Sequence, residues 1–243
     1  MRSGWLDEAV KASRLPPATV FPRELADEVE TYLRVFLVPL PGLTCHQARD
    51  WLAQRNNIRV EVPDQDRPIH GLMVADQGRG FIFYEERDSA EVRRFTLAHE
   101  VAHFVLDHLL PRMKALAAFG EDILPVLDGE RRLGAVTGLS AMLKRIPLGA
   151  QVRLMDRDSS GAICSGKVDA VEHRADRPAF ELLAPADLAL PMLADVPRTR
   201  AAEELASRFG LRRMEAAAYA RILLGPRHRP FSIQKYFPEE EEE

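Results

Sequence analysis

The chain has 243 residues, 46% of them hydrophobic and 29% charged, and a formal net charge of −4, enough for one substantial core or a main domain with a small satellite. No apolar run approaches the roughly 20 residues that cross a bilayer, and Met1-Arg2-Ser3-Gly4-Trp5-Leu6-Asp7-Glu8 lacks the apolar heart of a signal peptide. The expectation is a cytoplasmic protein with no membrane partner, and its two cysteines, Cys45 and Cys164, are too few for a secreted disulfide framework.

Leu25, Val29, Leu33 and Phe36 recur about once per turn and predict a helix over Arg23 to Val38, stopped by Pro39-Leu40-Pro41-Gly42. Thr44 can cap a second helix through His46, Ala48, Trp51 and Leu52, ended by Asn56-Asn57. The period then changes to two, predicting a strand over Ile58 to Val62. Two more follow, Gly71 to Ala75 and Gly80 to Tyr84, joined by a turn through Asp76-Gln77-Gly78. Val92, Phe95, Leu97, Val101, Phe104 and Val105 form the apolar surface of a helix that starts after Asp88-Ser89 and is expected to end near Leu110-Pro111.

From Arg112 to Lys167 the pattern breaks up and reads as an insertion, with helical fragments at Met113 to Phe119 and Leu139 to Leu143 and an apolar stretch Val152-Arg153-Leu154-Met155. Helices resume over Val168 to Leu183, Thr199 to Phe209 and Met214 to Leu224. The expected fold class is α+β: a small antiparallel sheet packed on the helix after Ser89, followed by a C-terminal helical part. The expected domains are 1–193 with the insertion at about 112–167, a helical pair at 194–230 and an acidic tail at 231–243.

His99-Glu100-Val101-Ala102-His103 lies inside the helix after Ser89. Histidines four apart point the same way and can converge on one zinc ion, leaving Glu100 able to act on water as a general base. Amide hydrolysis is the chemistry that fits. A third ligand is needed, and Glu172 is the candidate, with Asp176 one turn on as the hydrogen-bond acceptor behind a ligand histidine. Spacing alone favours Glu172 and Asp176 as surface charges paired with Arg174 or Arg177.

Arg93-Arg94-Phe95-Thr96-Leu97-Ala98-His99-Glu100-Val101-Ala102-His103 resembles the first signature phrase of the ImmA/IrrE family of bacterial zinc metallopeptidases, which is gluzincin-like. Glu172-His173-Arg174-Ala175-Asp176-Arg177-Pro178-Ala179-Phe180-Glu181-Leu182-Leu183-Ala184-Pro185 resembles the second. The resemblance implies one zinc per chain held by His99, His103 and Glu172, with Glu100 catalytic and Asp176 behind the ligands. It departs from the family in the long gap between His103 and Glu172 and in Pro178, which removes a backbone donor inside the ligand helix. It implies cleavage of a helix-turn-helix repressor on a stress or DNA-damage signal, derepressing its operon. Within the family the chain is similar to peptidases paired with repressors of CBASS-type anti-phage defence operons, for which single-stranded or damaged DNA is the expected activator.

Cys164 precedes the Glu172 helix, and its thiolate could take the fourth metal position as an inhibitory ligand; the other reading is a small packed side chain. Tyr84 and His173 are candidates to stabilise the transition state, whereas His46, His70, His108 and His228 read as surface or packing residues. Asp156-Arg157-Asp158-Ser159-Ser160-Gly161 is not a calcium loop, because Lys167 stands where a bidentate carboxylate is required. Pro197 to Pro230 holds eight arginines against three glutamates. Ala201 to Leu224 resembles a helix-turn-helix with Gly210 in its turn, whose Arg208, Arg212, Arg213 and Arg221 could meet phosphates. A plain buttress with a solvated basic face is the alternative for the pair, and a non-catalytic DNA-binding regulator on a peptidase scaffold is the alternative for the protein.

Overall fold

A computed structural model describes residues 4–64, 66–131, 150–154 and 166–225, with backbone only at 153–154 and 166–173. The expected helix Leu139 to Leu143, Cys164, the segment 156–161 and the tail 231–243 lie outside the described residues.

The fold is α+β. After α1 (Gly4–Ala12) and α2 (Ala26–Tyr32) come β1 (Val35–Leu40), α3 (Cys45–Asn56), β2 (Gly71–Asp76), β3 (Arg79–Glu85) and α4 (Ala90–His103). A π-helical segment (Phe104–Leu109) leads into α5 (Leu110–Phe119), then a 3-10 turn (Glu121–Ile123), α6 (Leu124–Leu127) and β4 (Gln151–Leu154). The chain closes with α7 (Gly166–Leu183), α8 (Ala186–Leu193), α9 (Ala201–Phe209) and α10 (Arg213–Leu224). No described helix is long and apolar enough to cross a membrane.

The sheet order is β1-β3-β2-β4, with β1 parallel to β3 and the other pairs antiparallel, so the sheet is mixed and not purely antiparallel. Leu72, Val74, Phe81 and Phe83 face α3, where Cys45, Ala48 and Leu52 are buried. Met73, Ala75 and Ile82 face the larger core around α4. Buried residues of α7, α9 and α10, among them Phe180, Leu205 and Tyr219, belong to that same core.

Three expectations from periodicity change. The helix expected over Arg23 to Val38 ends at Tyr32, because Val35-Phe36-Leu37-Val38 is β-branched and aromatic and finds a ladder on β3. Ile58 to Val62 forms no strand: Asn57 closes α3 in the left-handed region, and Ile58, Val60 and Val62 pack on the α3 core without a ladder. The active helix does not stop at Pro111. A proline cannot donate to the carbonyl four residues back, and the π segment re-registers the ladder just before it, with Leu110 N–H donating to Val105 O. The helix over α7 runs through Pro178, as the helix expected over Val168 to Leu183 does. Periodicity also missed α1 and α8.

Two buried arginines tie the layers together. Arg94 of α4 donates to Glu24 Oε1 at 3.1 and 2.6 Å and to Gly210 O at 2.9 Å. Arg23 donates to Leu182 O at 2.8 Å and Pro16 O at 2.7 Å. Gly210, at φ +66°, sits so close to Pro22 and Arg94 that a Cβ would fall 2.7 Å from the one and 2.8 Å from the other. The turn between α9 and α10 is therefore fastened to the start of α4.

The β2–β3 hairpin is fastened at its other end by His108 of the π segment, whose Nε2 accepts from Gly78 N–H at 3.1 Å while its ring stacks on Phe104. Burial, aided by the Arg112 guanidinium and opposed by Asp128, pushes the imidazole pKa down from 6.5 to about 4. The unfolded chain takes up this proton below pH 6.5 and the folded one only near 4. The stabilisation is therefore complete above 6.5 and lost as pH falls towards 4, by about 3 kcal/mol at most. Glutamine at this position keeps an acceptor for Gly78 but cannot titrate. Melting curves between pH 7.5 and 4.5 should therefore show a shallower acid loss for His108→Gln than for the wild type, and parallel curves would exclude this source.

Candidate metal centre

Ser89 caps α4, its side chain accepting from Val92 N–H at 3.4 Å, and the helix then buries every residue from Arg94 to His103. His99 and His103, one turn apart, are 0% and 1% exposed. Their Nε2 atoms approach to 3.1 Å. Each Nδ1 lies 3.1 Å from a carboxylate oxygen, His99 against Asp176 of α7 and His103 against Asp107 of the π segment.

A carboxylate only accepts, so it holds the ring proton on Nδ1 and leaves both Nε2 lone pairs aimed at one point. Two lone pairs in that arrangement repel unless a positive charge sits between them. Nitrogens about 2.0–2.1 Å from a tetrahedral zinc stand roughly 3.3 Å apart, close to the observed separation. The donor set thus fits a metal bound through two neutral imidazoles. Among the described residues no group of three His, Cys, Asp or Glu side chains stands ready to hold a metal. Glu172 lies on the α7 backbone, two positions before Arg174, and its side chain, like that of His173, is outside the described atoms.

Glu100 is fully buried, and it packs against the backbone of Gly71 at the start of β2. A Cβ there would lie 2.9 Å from Glu100 Oε1 and 2.5 Å from Thr96 Cγ2. Only glycine lets the strand come this close. Tyr84 pairs in register with Gly71 and, with Ile82, packs against the α4 core. Burial raises its pKa, with Arg93 pulling the other way.

Asp107 was not singled out from the sequence. It stands one turn beyond His103, as Asp176 stands one turn beyond Glu172, inside a helix already expected to reach Leu110, so the same spacing could have found it. Asp107 also faces Arg174 of α7, Oδ1 to Nη1 3.8 Å, so α7 reaches both histidines, through Asp176 directly and through Arg174 and Asp107. The four C-terminal arginines stand apart from this cluster. Arg208 lies over the Phe21 ring at 5.4 Å, and Arg212 forms a two-pronged pair with buried Glu215. Arg213 and Arg221 are exposed.

Asp107→Asn and Asp176→Asn are each expected to weaken zinc binding 10- to 100-fold in competition with a chromophoric chelator, with the far-ultraviolet dichroism unchanged; affinity equal to the wild type would deny these carboxylates their part. Gly71→Ala should lower stability by about 1–3 kcal/mol in chemical denaturation, and adding Thr96→Ser, which removes the nearer clashing methyl, should restore part of it.

In comparisons with known proteins, no characterised protein and no solved structure gives a significant match. Residues 53–124, from within α3 through the hairpin and α4 to α6, match the family model of the M78 peptidases, described as the IrrE N-terminal-like domain. That match covers under a third of the chain and includes His99, Glu100, His103 and Asp107, and it supports a relationship to the ImmA/IrrE metallopeptidases.

Proposed function

We propose that the protein is a zinc-dependent endopeptidase of regulatory type, cleaving a helix-turn-helix repressor and so releasing the operon that the repressor silences. The observation that carries the catalytic part is the convergence of two Nε2 atoms at 3.1 Å, each imidazole backed by a carboxylate, next to the buried Glu100 carboxylate. The regulatory part is supported by the match over 53–124 and by the two signature phrases. Single-stranded or damaged DNA as the signal, and an anti-phage defence operon as the target, belong to the same reading.

His99, His103 and Glu172 would hold the zinc. Held there, the ion would supply Lewis acidity to a scissile carbonyl and would lower the pKa of water towards neutrality. The Glu100 carboxylate takes a proton from the attacking water and hands it to the leaving amine nitrogen. Asp107 and Asp176 fix the imidazoles and strengthen them as donors. Tyr84, paired with Gly71 on the sheet, is the candidate donor to the developing oxyanion. The arginine pairing in α9 and α10 and the Arg94 to Gly210 bond favour a helix pair that braces the catalytic helix, with Arg213 and Arg221 as its outward charges.

An unbiased substrate screen tests the proposal. The zinc-loaded protein and its Glu100→Gln variant are incubated with a proteome-derived peptide library, and new amino termini are read by mass spectrometry. The expected result is a set of termini made by the wild type and at least 100-fold depleted with Glu100→Gln, at equal zinc content. A library left intact by the wild type, or cut equally by the variant, would refute the peptidase reading.

A further inference from the structure

The sheet face that α3 covers is left partly open at the β1 edge. Phe36 of β1 is 51% exposed, although its ring stacks on that of Phe81, with centres 5.3 Å apart and planes 21° from parallel. Trp51 of α3 meets the same Phe81 ring edge-on at 6.3 Å. Cations attend both rings: the Arg79 guanidinium lies 6.0 Å from the Phe81 centre and the Arg55 guanidinium 5.2 Å from that of Trp51. Arg34, exposed just before β1, accepts through its carbonyl from Gly80 N–H at 2.8 Å, and alternation turns its side chain to the face of Phe36.

Chemistry narrows what can cover this patch. The edge of β1 is closed to an added strand, because Leu37 N–H donates to Glu30 Oε1 at 3.3 Å and Pro39 has no N–H. What stays open is a ring face, and a ring face beside guanidinium groups takes a planar ring joined to an anion. Arg34, Arg55 and Arg79 outnumber the acids bonded to the patch, which are Glu30 and Asp76, the latter accepting from Arg79 at 3.2 Å. A nucleobase with its phosphate meets both demands, provided that the base is unpaired.

We propose that single-stranded DNA binds across this patch: an unpaired base stacks on the open face of Phe36, and Arg55 and Arg79 meet the flanking phosphates. This assigns a surface to the DNA signal of the reading above and rests on that reading for the signal's role, while the binding itself requires no catalysis. The position suits a signal. Gly80, between Arg79 and Phe81, backs onto Phe104, from which a Cβ at Gly80 would stand 2.9 Å away, and Phe104 follows His103 in the chain. A ligand on the outer face of β1 and β3 is thus one strand's thickness from the end of the helix that carries the histidines.

Trp5→Phe leaves Trp51 as the only tryptophan, so full-length zinc-loaded protein carrying that change reports binding at the patch through Trp51 emission. A labelled oligothymidylate of roughly 12 nucleotides reports the same binding by anisotropy. The expected result is Trp51 quenching in step with the anisotropy, and binding weakened roughly 5- to 50-fold by Phe36→Leu, which keeps Phe81 covered but has no ring, and retained with Phe36→Tyr. Arg55→Gln and Arg79→Gln should each lower the slope of log affinity against log salt by about 0.7, and a duplex of the same length should bind more weakly. An oligonucleotide that does not bind, a duplex that binds equally well, or affinity unchanged in Phe36→Leu overturns the inference. So does binding that is lost with Arg213→Gln and Arg221→Gln together but not with Phe36→Leu, which moves the site to α10. A dimer that Phe36→Leu dissociates, with no oligonucleotide bound, makes the patch a contact between copies and overturns it as well. All of these outcomes leave the peptidase reading standing, because the library screen decides that separately.

Discussion

An imidazole offers a lone pair to a cation through one nitrogen only while its proton is kept on the other. Here that requirement is met twice, from two directions. Asp107 reaches His103 from one turn further along the same helical run, so its position follows from local geometry. Asp176 reaches His99 from α7, seventy-seven residues away in sequence, and its position depends on α7 docking in one register on α4. Small residues make that docking close: Ala98 and Ala102 on one helix and Ala175 and Ala179 on the other are all at most 1% exposed. Phe95 against Phe180, with ring centres 5.4 Å apart, and Phe180 stacked on Tyr219 at 4.6 Å then fix the rotation.

The C-terminal helices contribute to this register from behind. Tyr219 of α10 donates its hydroxyl to Ala184 O at 2.8 Å, at the corner where α7 ends, and Glu181 accepts from Ala186 N–H at 3.2 Å to start α8. Arg94 fastens the other side, from the first turns of α4 to the α9–α10 turn. The result is a frame around the histidines in which polar groups on the main chain, and not only apolar packing, set distances. Buried hydrogen bonds of this kind cost more to break than they contribute when formed, so they specify a single arrangement of α4, α7 and α10.

Much of this was legible in the sequence, for identifiable reasons. His99, Glu100 and His103 could be placed because helical spacing is a strong rule in a long, well-patterned helix, whereas for Asp176 spacing favoured a surface charge and only the family resemblance put it behind the ligands. The hairpin was legible because Gln77-Gly78 takes positive φ at both positions, 49° and 76°, the turn that suits two twisted strands. What escaped depends on contacts distant in sequence. Val35 to Val38 could be read as the tail of a helix until β3 offered it a parallel partner. Gly71 looked like an ordinary strand start, since nothing local announces that a carboxylate from another element will fill its side-chain space. His70 read as surface, correctly as to its exposure, while its hydrogen-bond partner Asp88 was seen only as the approach to a helix cap.

The π segment between His103 and α5 has a consequence for how the chain can vary. Adding one residue to a helical turn rotates everything beyond it by about 100° relative to an unbroken α-helix. The three positions of the active helix and the apolar face that α5 turns to Ile123, Val126 and Leu127 are therefore set in separate angular phases. Changes in the length or packing of the region beyond Pro111 can be absorbed at this joint without turning the histidines away from their target, which makes the segment the fold's insulating coupling between a fixed chemistry and a variable periphery.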